Sequence, residues 1–237
     1  PDEVTAVLTS CGRWDFLIRS IDTFLAHHDP ARFILIEDSG DTDFAQRIAA
    51  RYPAIEVVLN QPRLGQHAAI DRAYGMVNTP FIVHLEDDWV FTGAMDIADA
   101  RQLLDANPSV ASVCFTVFRR LKWRQRVFAR TFRHGSHLYA SLHTAHREWH
   151  GHSFYPTLVR RRTWEEHGPY ASFQNERAIS RHMKGLGLFV AYQLPGVGIH
   201  VGSGRSVFDP ARVGERRRIT GGWRRWLAGK GPFSSAG

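Results

Sequence analysis

The first ninety residues alternate short apolar segments with stretches that have helical hydrophobic spacing. The apolar segments, VTAVLT, RFILIE, IEVVLN and PFIVHL, have the composition of buried strands. Stretches of about a dozen residues with helical spacing separate them. This alternation predicts parallel βαβ units, and therefore an α/β fold with a mostly parallel sheet flanked by helices.

Each predicted strand is followed by polar residues. The four sequences at these strand ends are TSCGR, EDSGD, NQPR and EDDW. The carboxyl ends of parallel strands meet at one edge of a sheet, and open α/β sheets bind their ligands there. We therefore expect a binding site at this edge.

Three adjacent acids, Glu86, Asp87 and Asp88, follow the fourth predicted strand. Because their carboxylates repel one another, a cation, an arginine cluster or solvent must offset the charge. Alternate residues of an extended chain point the same way, so Glu86 and Asp88 are expected to converge while Asp87 points elsewhere. Carboxylate oxygens suit Mg²⁺ or Mn²⁺ in sites that substrate phosphates complete. The alternative is a solvated loop or a helix N-cap.

The second half of the chain is less regular. SVASVCFTVF and LFVAYQL predict strands, and NERAISRHMKGLG predicts a helix. Residues 119–152 mix arginine, histidine and aromatic residues without clear periodicity, and a long loop or a mobile insertion is expected there. A glycine-rich loop with His200 follows the last predicted strand.

The order and spacing of these motifs resemble one enzyme family. The segments AVLTSCGRWDFLIRSIDTFL, ILIEDSGD and NQPRLGQHAAIDRAYGMVNTPFIVHLEDDWVF, followed by FYPTLVRRRTWEEHGPYASFQNERAISRHMKGLG, resemble nucleotide-sugar glycosyltransferases of the GT-A fold. The likeness is to the large inverting group that includes cellulose and chitin synthases. It covers residue 4 to about residue 190, with Glu86-Asp87-Asp88 at the position of the D-x-D motif and Glu in place of its first Asp.

The resemblance implies that a sugar moves from a nucleoside diphosphate sugar, with a UDP-sugar as the first expectation, to an acceptor hydroxyl with inversion. It implies Mn²⁺ or Mg²⁺ as cofactor, with Asp88 and His200 as the metal ligands. The general base is expected to be Glu176, although Asn175-Glu176 stands where the family has Glu-Asp, so the register is open by one residue. The alternative for Glu176 is a surface charge paired with Arg177 or Lys184.

The resemblance also implies a set of donor-binding residues. We expect these residues to contact the nucleotide or the sugar: Thr9, Arg13, Glu37, Asp38, Arg63, Asp71, Glu86 and Asp87. The acceptor is expected to be a glycan, a lipid-linked molecule or a small molecule. We accordingly divide the chain into a nucleotide-sugar-binding half (1–118), an acceptor-binding half of the same domain (119–210) and a basic aromatic tail (211–237).

The chain carries a formal net charge of +7 and has an isoelectric point near 9.9. The excess lies in the second half and suits phosphorylated substrates or an anionic membrane. The tail GERRRITGGWRRWLAGK combines basic residues with Trp223 and Trp226, and we expect either peripheral membrane contact or a solvated end. Two cysteines cannot form a disulfide framework, and no run of about 18 apolar residues occurs. A cytoplasmic location is expected, at the inner face of the membrane if the tail binds there.

Two other functions are alternatives to the transferase. A nucleotidyltransferase shares a similar sheet but usually has a glycine-rich loop after the first strand, and TSCGR has a single glycine. A basic nucleic-acid-binding protein would leave the acidic strand ends unexplained, so no nucleic acid is expected. The histidine-rich stretch HGSHLYASLHTAHREWHGH is expected on the acceptor side, with zinc binding by His146 and His150 as the alternative.

Overall fold

A nine-stranded mixed sheet forms the centre of the computed structural model, which describes residues 3–202. These residues fall within one compact unit, and the predicted tail at 211–237 lies outside the described residues. Within residues 3–202, no helix has both the length and the apolar character needed to cross a bilayer.

The strands of the large sheet are β1 (Val4–Ser10), β2 (Phe33–Glu37), β3 (Glu56–Leu59), β4 (Phe81–Glu86), β6 (Val110–Cys114), β7 (Arg130–His134), β8 (His137–Ser141), β9 (Thr157–Arg160) and β10 (Phe189–Gln193). A two-stranded sheet joins β5 (Trp89–Phe91) to β11 (Gly198–His200). The helices are α1 (Trp14–Leu25), α2 (Thr42–Arg51), α3 (Gln66–Gly75), α4 (Ile97–Ala106), α5 (Trp123–Val127), α6 (Arg161–His167) and α7 (Glu176–Gly185).

The strand order is β3-β2-β1-β4-β9-β6-β10-β8-β7. Strands β1 to β4 pair in parallel, as predicted, and every antiparallel pairing of this sheet involves β7, β8 or β9 from the second half. The register places Ser10 opposite Glu37, and Thr9 opposite Glu86. The polar ends of these strands therefore meet at one edge, and the predicted α/β fold with a mostly parallel, helix-flanked sheet is confirmed.

The expectation of a long loop over residues 119–152 was wrong in part. A 3-10 turn, helix α5 and the hairpin of β7 and β8 occupy much of this stretch. The hairpin turns at Gly135, whose φ of +53° lies in the left-handed region that favours glycine. Strand β8 pairs with β10, so the hairpin extends the main sheet instead of looping away from it.

Two apolar layers cover the sheet, one on each face. Successive side chains of β1 point to opposite faces of the sheet, so Leu8 lies in one layer and Val7 in the other. The Leu8 layer contains buried side chains of α1, α2 and α4, and the Val7 layer contains those of α3 and α7. Burial on both faces explains why the strands of the first half are almost wholly apolar.

The layer that contains Val7 also encloses two histidines without hydrogen-bond partners. His84 and His152 are buried, and neither ring nitrogen of either residue has a partner within the described structure. Aromatic rings surround them: Tyr74 lies 5.8 Å from the His84 ring, and Tyr170 lies 5.0 Å from the His152 ring. Burial lowers the pKa of each histidine to about 3, helped by His152 for His84 and by His67 for His152. Both imidazoles are therefore neutral in the folded protein.

This burial predicts acid sensitivity. Above about pH 6.5 both histidines are neutral in the folded and the unfolded chain, so they do not lower the free energy of unfolding. Between about pH 6.5 and 3 the unfolded chain binds protons that the folded chain resists, and each histidine lowers the free energy of unfolding by about 1.4 kcal/mol per pH unit. Urea denaturation from pH 7.5 to 4.5 should show His152→Leu with a slope reduced by about that amount. The exposed His27→Gln serves as the control, and an unchanged slope in His152→Leu would contradict the assignment.

Candidate active site

Arg13 neutralises the acids that follow β4. Its Nε donates to Oδ2 of Asp87 at 3.0 Å, Nη2 donates to Oδ1 of Asp87, and Nη1 donates to Oδ2 of Asp88 at 3.0 Å. Ser10 donates to Oδ2 of Asp87 at 3.4 Å. Burial lowers the pKa of Arg13, but its bonds to Asp87 and the charges of both aspartates outweigh this and raise the pKa. One arginine therefore offsets part of the charge of these acids.

The strand-alternation argument for the three acids was wrong. Strand β4 ends at Glu86, and Asp87 and Asp88 lie in the turn before β5, where alternation no longer applies. Asp87 and Asp88 therefore converge on Arg13, whereas Glu86 faces Gln66 and Trp89, whose side chains donate to it at 3.0 Å and 3.2 Å.

His200 reaches Asp88 from the far end of the chain. Strand β11 pairs antiparallel with β5 and places His200 opposite Trp89. The Nε2 atom of His200 lies 3.4 Å from Oδ2 of Asp88. Burial raises the pKa of Asp88, but the hydrogen bond from His200 and the charge of Arg13 lower it more, so the net pKa is below its usual value. The structure thus brings together the two predicted metal ligands.

The backbone closes tightly over this aspartate. Val201 donates its N–H to the Asp88 carbonyl oxygen at 2.9 Å. A Cβ atom at Gly202 would lie 2.2 Å from Oδ2 of Asp88, so only glycine fits there without a shift of the aspartate. The carboxylate of Asp88 is consequently held beside the chain segment that carries His200.

The donor set fits a divalent cation that substrate oxygens help to hold. A carboxylate and an imidazole together suit Mn²⁺. In the part of the chain that the structure describes, no group of three or more His, Cys, Asp or Glu side chains is arranged to hold a metal ion. Asp88 and His200 would supply two ligands, and sites of this kind take their remaining ligands from phosphates and water.

Glu37 and Asp38 follow β2 and have different surroundings. Oε1 of Glu37 accepts hydrogen bonds from the N–H groups of Gly12 and Ser39, both at 2.9 Å. Its Oε2 is buried and has no partner within the described residues. Gly12 has a φ of +68°, so the turn that presents Arg13 favours glycine at this position. Glu37 thus supports this turn, and its second oxygen is buried without a partner within the described residues.

Asp38 instead fixes the loop between β3 and α3. Its carboxylate accepts hydrogen bonds from the Asn60 side chain and from the N–H groups of Leu64 and Gly65, each at 2.8 Å. Arg63, which is partly exposed, lies 3.6 Å from Oδ2 of Asp38. The carboxylate therefore orders the loop that holds Arg63 at the edge of the sheet where the polar strand ends meet, which we call the site edge.

Asp71 has protein partners on both of its oxygens. Oδ1 accepts from Nε1 of Trp164 at 2.7 Å and from the N–H of Tyr170 at 2.8 Å, and Oδ2 accepts from the N–H of Ala171 at 2.7 Å. These bonds tie α3 to α6 and to the turn after it. The structure thus gives Asp71 a role in packing these elements together.

Glu176 opens α7 and faces the segment before β9. Asn175 is the N-cap, and its side chain accepts from the N–H of Ala178 at 3.0 Å. Oε1 of Glu176 accepts from the N–H of Phe154 at 3.3 Å. Burial raises the pKa of Glu176, and the hydrogen bonds from Phe154 and Ser153 oppose this only in part. Asn175 is therefore occupied in capping the helix.

Glu176 and Glu86 are both partly buried, and they interact electrostatically. Burial raises the pKa of Glu86 well above its usual value, and the charges of Asp88 and Glu176 raise it further. Burial raises the pKa of Tyr155, and the charges of both glutamates raise it further. The Tyr155 ring lies 5.2 Å from that of Trp89. The site edge therefore continues from the Arg13 cluster to Glu176 through Glu86 and the aromatic pair of Trp89 and Tyr155.

Sequence reasoning missed several of these residues. Gln66, Trp89 and Tyr155 line the path between the acids but carry no motif of their own. The one available signal was position, because Trp89 directly follows the acids and Gln66 follows a polar strand end. The histidine-rich stretch does not form one cluster: His137 contacts Asp96, and His150 contacts Tyr192.

Comparison with known proteins identifies the family. Residues 5–175 match the sequence profile described as Glycosyl transferase family 2. The chain belongs to this family. The predicted resemblance to glycosyltransferases is therefore confirmed at the level of this family. No curated protein matches the sequence.

Solved structures of glycosyltransferases share the fold of this family member. The mannosyltransferase PcManGT from Pyrobaculum calidifontis, in complex with GDP-Man and Mn²⁺, has a TM-score of 0.57 at 14% identity over 97% of this chain and 66% of its own. The structure of TarS residues 1–349 from S. aureus with UDP has a TM-score of 0.53 at 9% identity, over 83% of this chain and 59% of its own. The structure of GalNAc-T7 with UDP, GalNAc and Mn²⁺ has a TM-score of 0.58 at 10% identity, over 84% of this chain and 44% of its own. This chain thus spans less than two thirds of each neighbour, and the likeness shows the fold.

The Arg13 cluster predicts a large stability effect. Arg13→Ala would leave two mostly buried carboxylates without their cation, and breaking a buried pair in this way costs about 3–5 kcal/mol. Removing Arg162, which is exposed and pairs with Glu166, should cost less than about 1 kcal/mol. Urea denaturation measures both losses. Arg13→Met combined with Asp87→Asn should recover part of the stability, and equal losses in Arg13→Ala and Arg162→Ala would contradict the role of Arg13.

Proposed function

We propose that the protein transfers a sugar from a nucleoside diphosphate sugar to an acceptor hydroxyl, with a divalent cation as cofactor and inversion at the anomeric carbon. The observation that carries the proposal is the contact of Asp88 with both His200 and Arg13 beside the ends of β1, β2 and β4. Membership of the family supports it, as do neighbours whose structures hold GDP-Man or UDP, two of them with Mn²⁺. A UDP-sugar is the first donor to test.

The residues at the strand ends suit a nucleotide. The buried Oε2 of Glu37, which has no partner within residues 3–202, would accept a hydrogen bond from a ribose hydroxyl. Arg63 stands partly exposed on the loop that Asp38 orders, where it would attract a phosphate. Thr9 lies beside Glu86 in the sheet register, so it belongs to the same edge.

Asp88 and His200 would hold the cation, and Mn²⁺ suits their mixed carboxylate and imidazole donors. When bound, the cation would neutralise the negative charge that develops on the departing diphosphate. The guanidinium of Arg13 favours the charged form of each aspartate. The pKa of Asp88 is lowered, whereas burial outweighs Arg13 at Asp87 and raises its pKa to about 6. The protein would thus present charged ligands without needing the cation to stabilise the fold.

Glu176 would act as the general base. Its carboxylate would take the proton of the acceptor hydroxyl as the oxygen attacks the anomeric carbon and the nucleoside diphosphate leaves. A single displacement of this kind inverts the anomeric centre. Burial raises the pKa of Glu176 toward the working pH, which strengthens the carboxylate as a base.

Nucleotide binding should depend on Asp88. In a thermal-shift screen of UDP, GDP, CDP and dTDP, with and without Mn²⁺, we expect one nucleotide to raise the melting temperature only when the metal is present. A ligand at 100 times its Kd adds about 2.7 kcal/mol to the free energy of unfolding. Asp88→Asn should lose most of this metal-dependent shift, because the amide replaces a charged ligand.

The exposed Asp105→Asn is the matched control for this change and should keep the full shift. A metal-dependent shift of equal size in Asp88→Asn would contradict the metal role of Asp88. No shift with any nucleotide in the parent protein would contradict the proposed donor class.

The general base predicts a separate kinetic result. Glu176→Gln should lower kcat by about 10²–10⁴-fold while the metal-dependent nucleotide shift remains. In the parent protein, kcat/KM should rise with pH through the pKa of Glu176, because only the deprotonated carboxylate accepts the proton. That inflection should lie above the ordinary glutamate value because burial raises the pKa. Unchanged kcat in Glu176→Gln would exclude the role, and NMR of the product reports the anomeric configuration.

A further inference from the structure

The most exposed large apolar side chains of the described residues lie together on one short segment. Trp123, Val127 and Phe128 are 62%, 66% and 58% exposed, and no other large apolar side chain within residues 3–202 exceeds 53%. Trp123 and Val127 are four residues apart and lie on one face of α5, and Phe128 follows at its C-cap. The three side chains form one exposed apolar group, which we call the apolar face. A cluster of this kind on a folded protein marks an interaction site.

Basic side chains surround this apolar face. Between residues 119 and 133 the chain has seven basic residues and no acidic residue: Arg119, Arg120, Lys122, Arg124, Arg126, Arg130 and Arg133. All seven are exposed. None of them forms an ion pair within residues 3–202. We call the apolar face and these seven residues the basic aromatic surface.

Other arginines of the second half differ in this respect. Arg161 pairs with Glu165, Arg162 pairs with Glu166, and Arg177 and Arg181 both pair with Glu148. The fold therefore balances its charges where acids are near, and it leaves one surface with a concentrated positive charge. That surface is complementary to an extended anionic partner.

The segment is anchored to the protein on its inner side. Phe118, Leu121 and Ala129 pack against the buried cluster that includes Cys114 and Tyr192. The N–H of Phe118 also donates to the carbonyl oxygen of Pro195 at 3.0 Å. Because the inner residues already fill this contact, Trp123, Val127 and Phe128 remain on the outside.

We propose that the basic aromatic surface binds the surface of an anionic lipid bilayer. Arginine and lysine would attract the lipid headgroups, while tryptophan, valine and phenylalanine would enter the interfacial region. A soluble polyanion would engage the charges and could stack on the aromatic rings, but it gives no reason to expose Val127. The combination of an aliphatic side chain with interfacial aromatics therefore favours a membrane.

The position of the surface connects it to the site edge. The segment that carries the basic aromatic surface follows β6. Just before it, Thr116 forms a β-bridge with Gly198, and the N–H of Val117 donates to the Gly198 carbonyl oxygen at 2.8 Å. Gly198 belongs to β11, the strand that carries His200. A membrane bound at the basic aromatic surface would therefore adjoin the segment next to the proposed cation ligands. The membrane contact itself does not rest on the proposed sugar transfer.

Vesicle flotation with the full chain tests this inference. We expect binding to phosphatidylcholine vesicles that contain about a third phosphatidylglycerol, and little binding to pure phosphatidylcholine. Trp123→Ser with Phe128→Ser should lower the partition coefficient at least about tenfold, and Arg120→Glu with Arg124→Glu should do the same. Both pairs should keep the parent melting temperature to within a few degrees, since the changed side chains are exposed.

Matched controls separate this surface from general effects. Leu186→Ser removes another exposed apolar side chain, and Arg162→Glu reverses an exposed charge elsewhere, so both should bind vesicles like the parent. Trp223→Ser with Trp226→Ser tests the predicted tail, which lies outside the described residues. Loss of binding in the tail variant alone would overturn the inference and assign the contact to the tail.

Two further outcomes would also overturn the inference. One is absence of binding to the anionic vesicles by the parent protein. The other concerns the two double variants. If Trp123→Ser with Phe128→Ser still binds vesicles, and Arg120→Glu with Arg124→Glu loses binding to both vesicles and heparin, the surface would be one for soluble polyanions. The nucleotide thermal shift, measured on the same variants, reports on the proposed function independently.

Discussion

The ion pairs between Arg13 and the two aspartates after β4 hold the site edge together. They join the turn after β1 to the turn after β4, across 74 residues of sequence between Arg13 and Asp87. Glu37, at the end of β2, supports the same turn through the N–H of Gly12. Three strand ends therefore depend on one another, and the adjacent acids are tolerated in a buried position because a guanidinium lies between them.

This arrangement divides the carboxylates of the edge into two groups. Asp38 and Asp71 use their oxygens on backbone and side-chain donors of the protein, so they order loops and helices. Glu86 and Glu176 are partly buried, and burial raises the pKa of each. Both glutamates also accept hydrogen bonds from the protein. Acids with strongly perturbed pKa values cluster at functional sites, so the second group indicates where chemistry takes place.

The sequence predicted β1 to β4 and α1 to α3 because their hydrophobic periodicity is local. It also predicted that their polar ends would meet, since that follows from parallel pairing. Strands β7, β8 and β9 were not recognised, because they are short and their pairing is decided by partners far along the chain. The hydrogen-bond partners of Asp71 lie 93 to 100 residues away along the chain, so they could not be read from its neighbours. The roles of Asp87 and Asp88 depended on where β4 ends, and strand boundaries are poorly determined by composition.

The charge of the protein has a structural interpretation that its net value conceals. At the site edge, acids and Arg13 neutralise one another within the fold. On helices α6 and α7, arginines are paired with nearby glutamates. The unpaired positive charge of the described residues is concentrated between residues 119 and 133, beside the most exposed apolar side chains. Folding gains nothing from holding like charges together, so their placement is best explained by a partner that carries the opposite charge, and the adjacent apolar face specifies a partner with a hydrophobic interior.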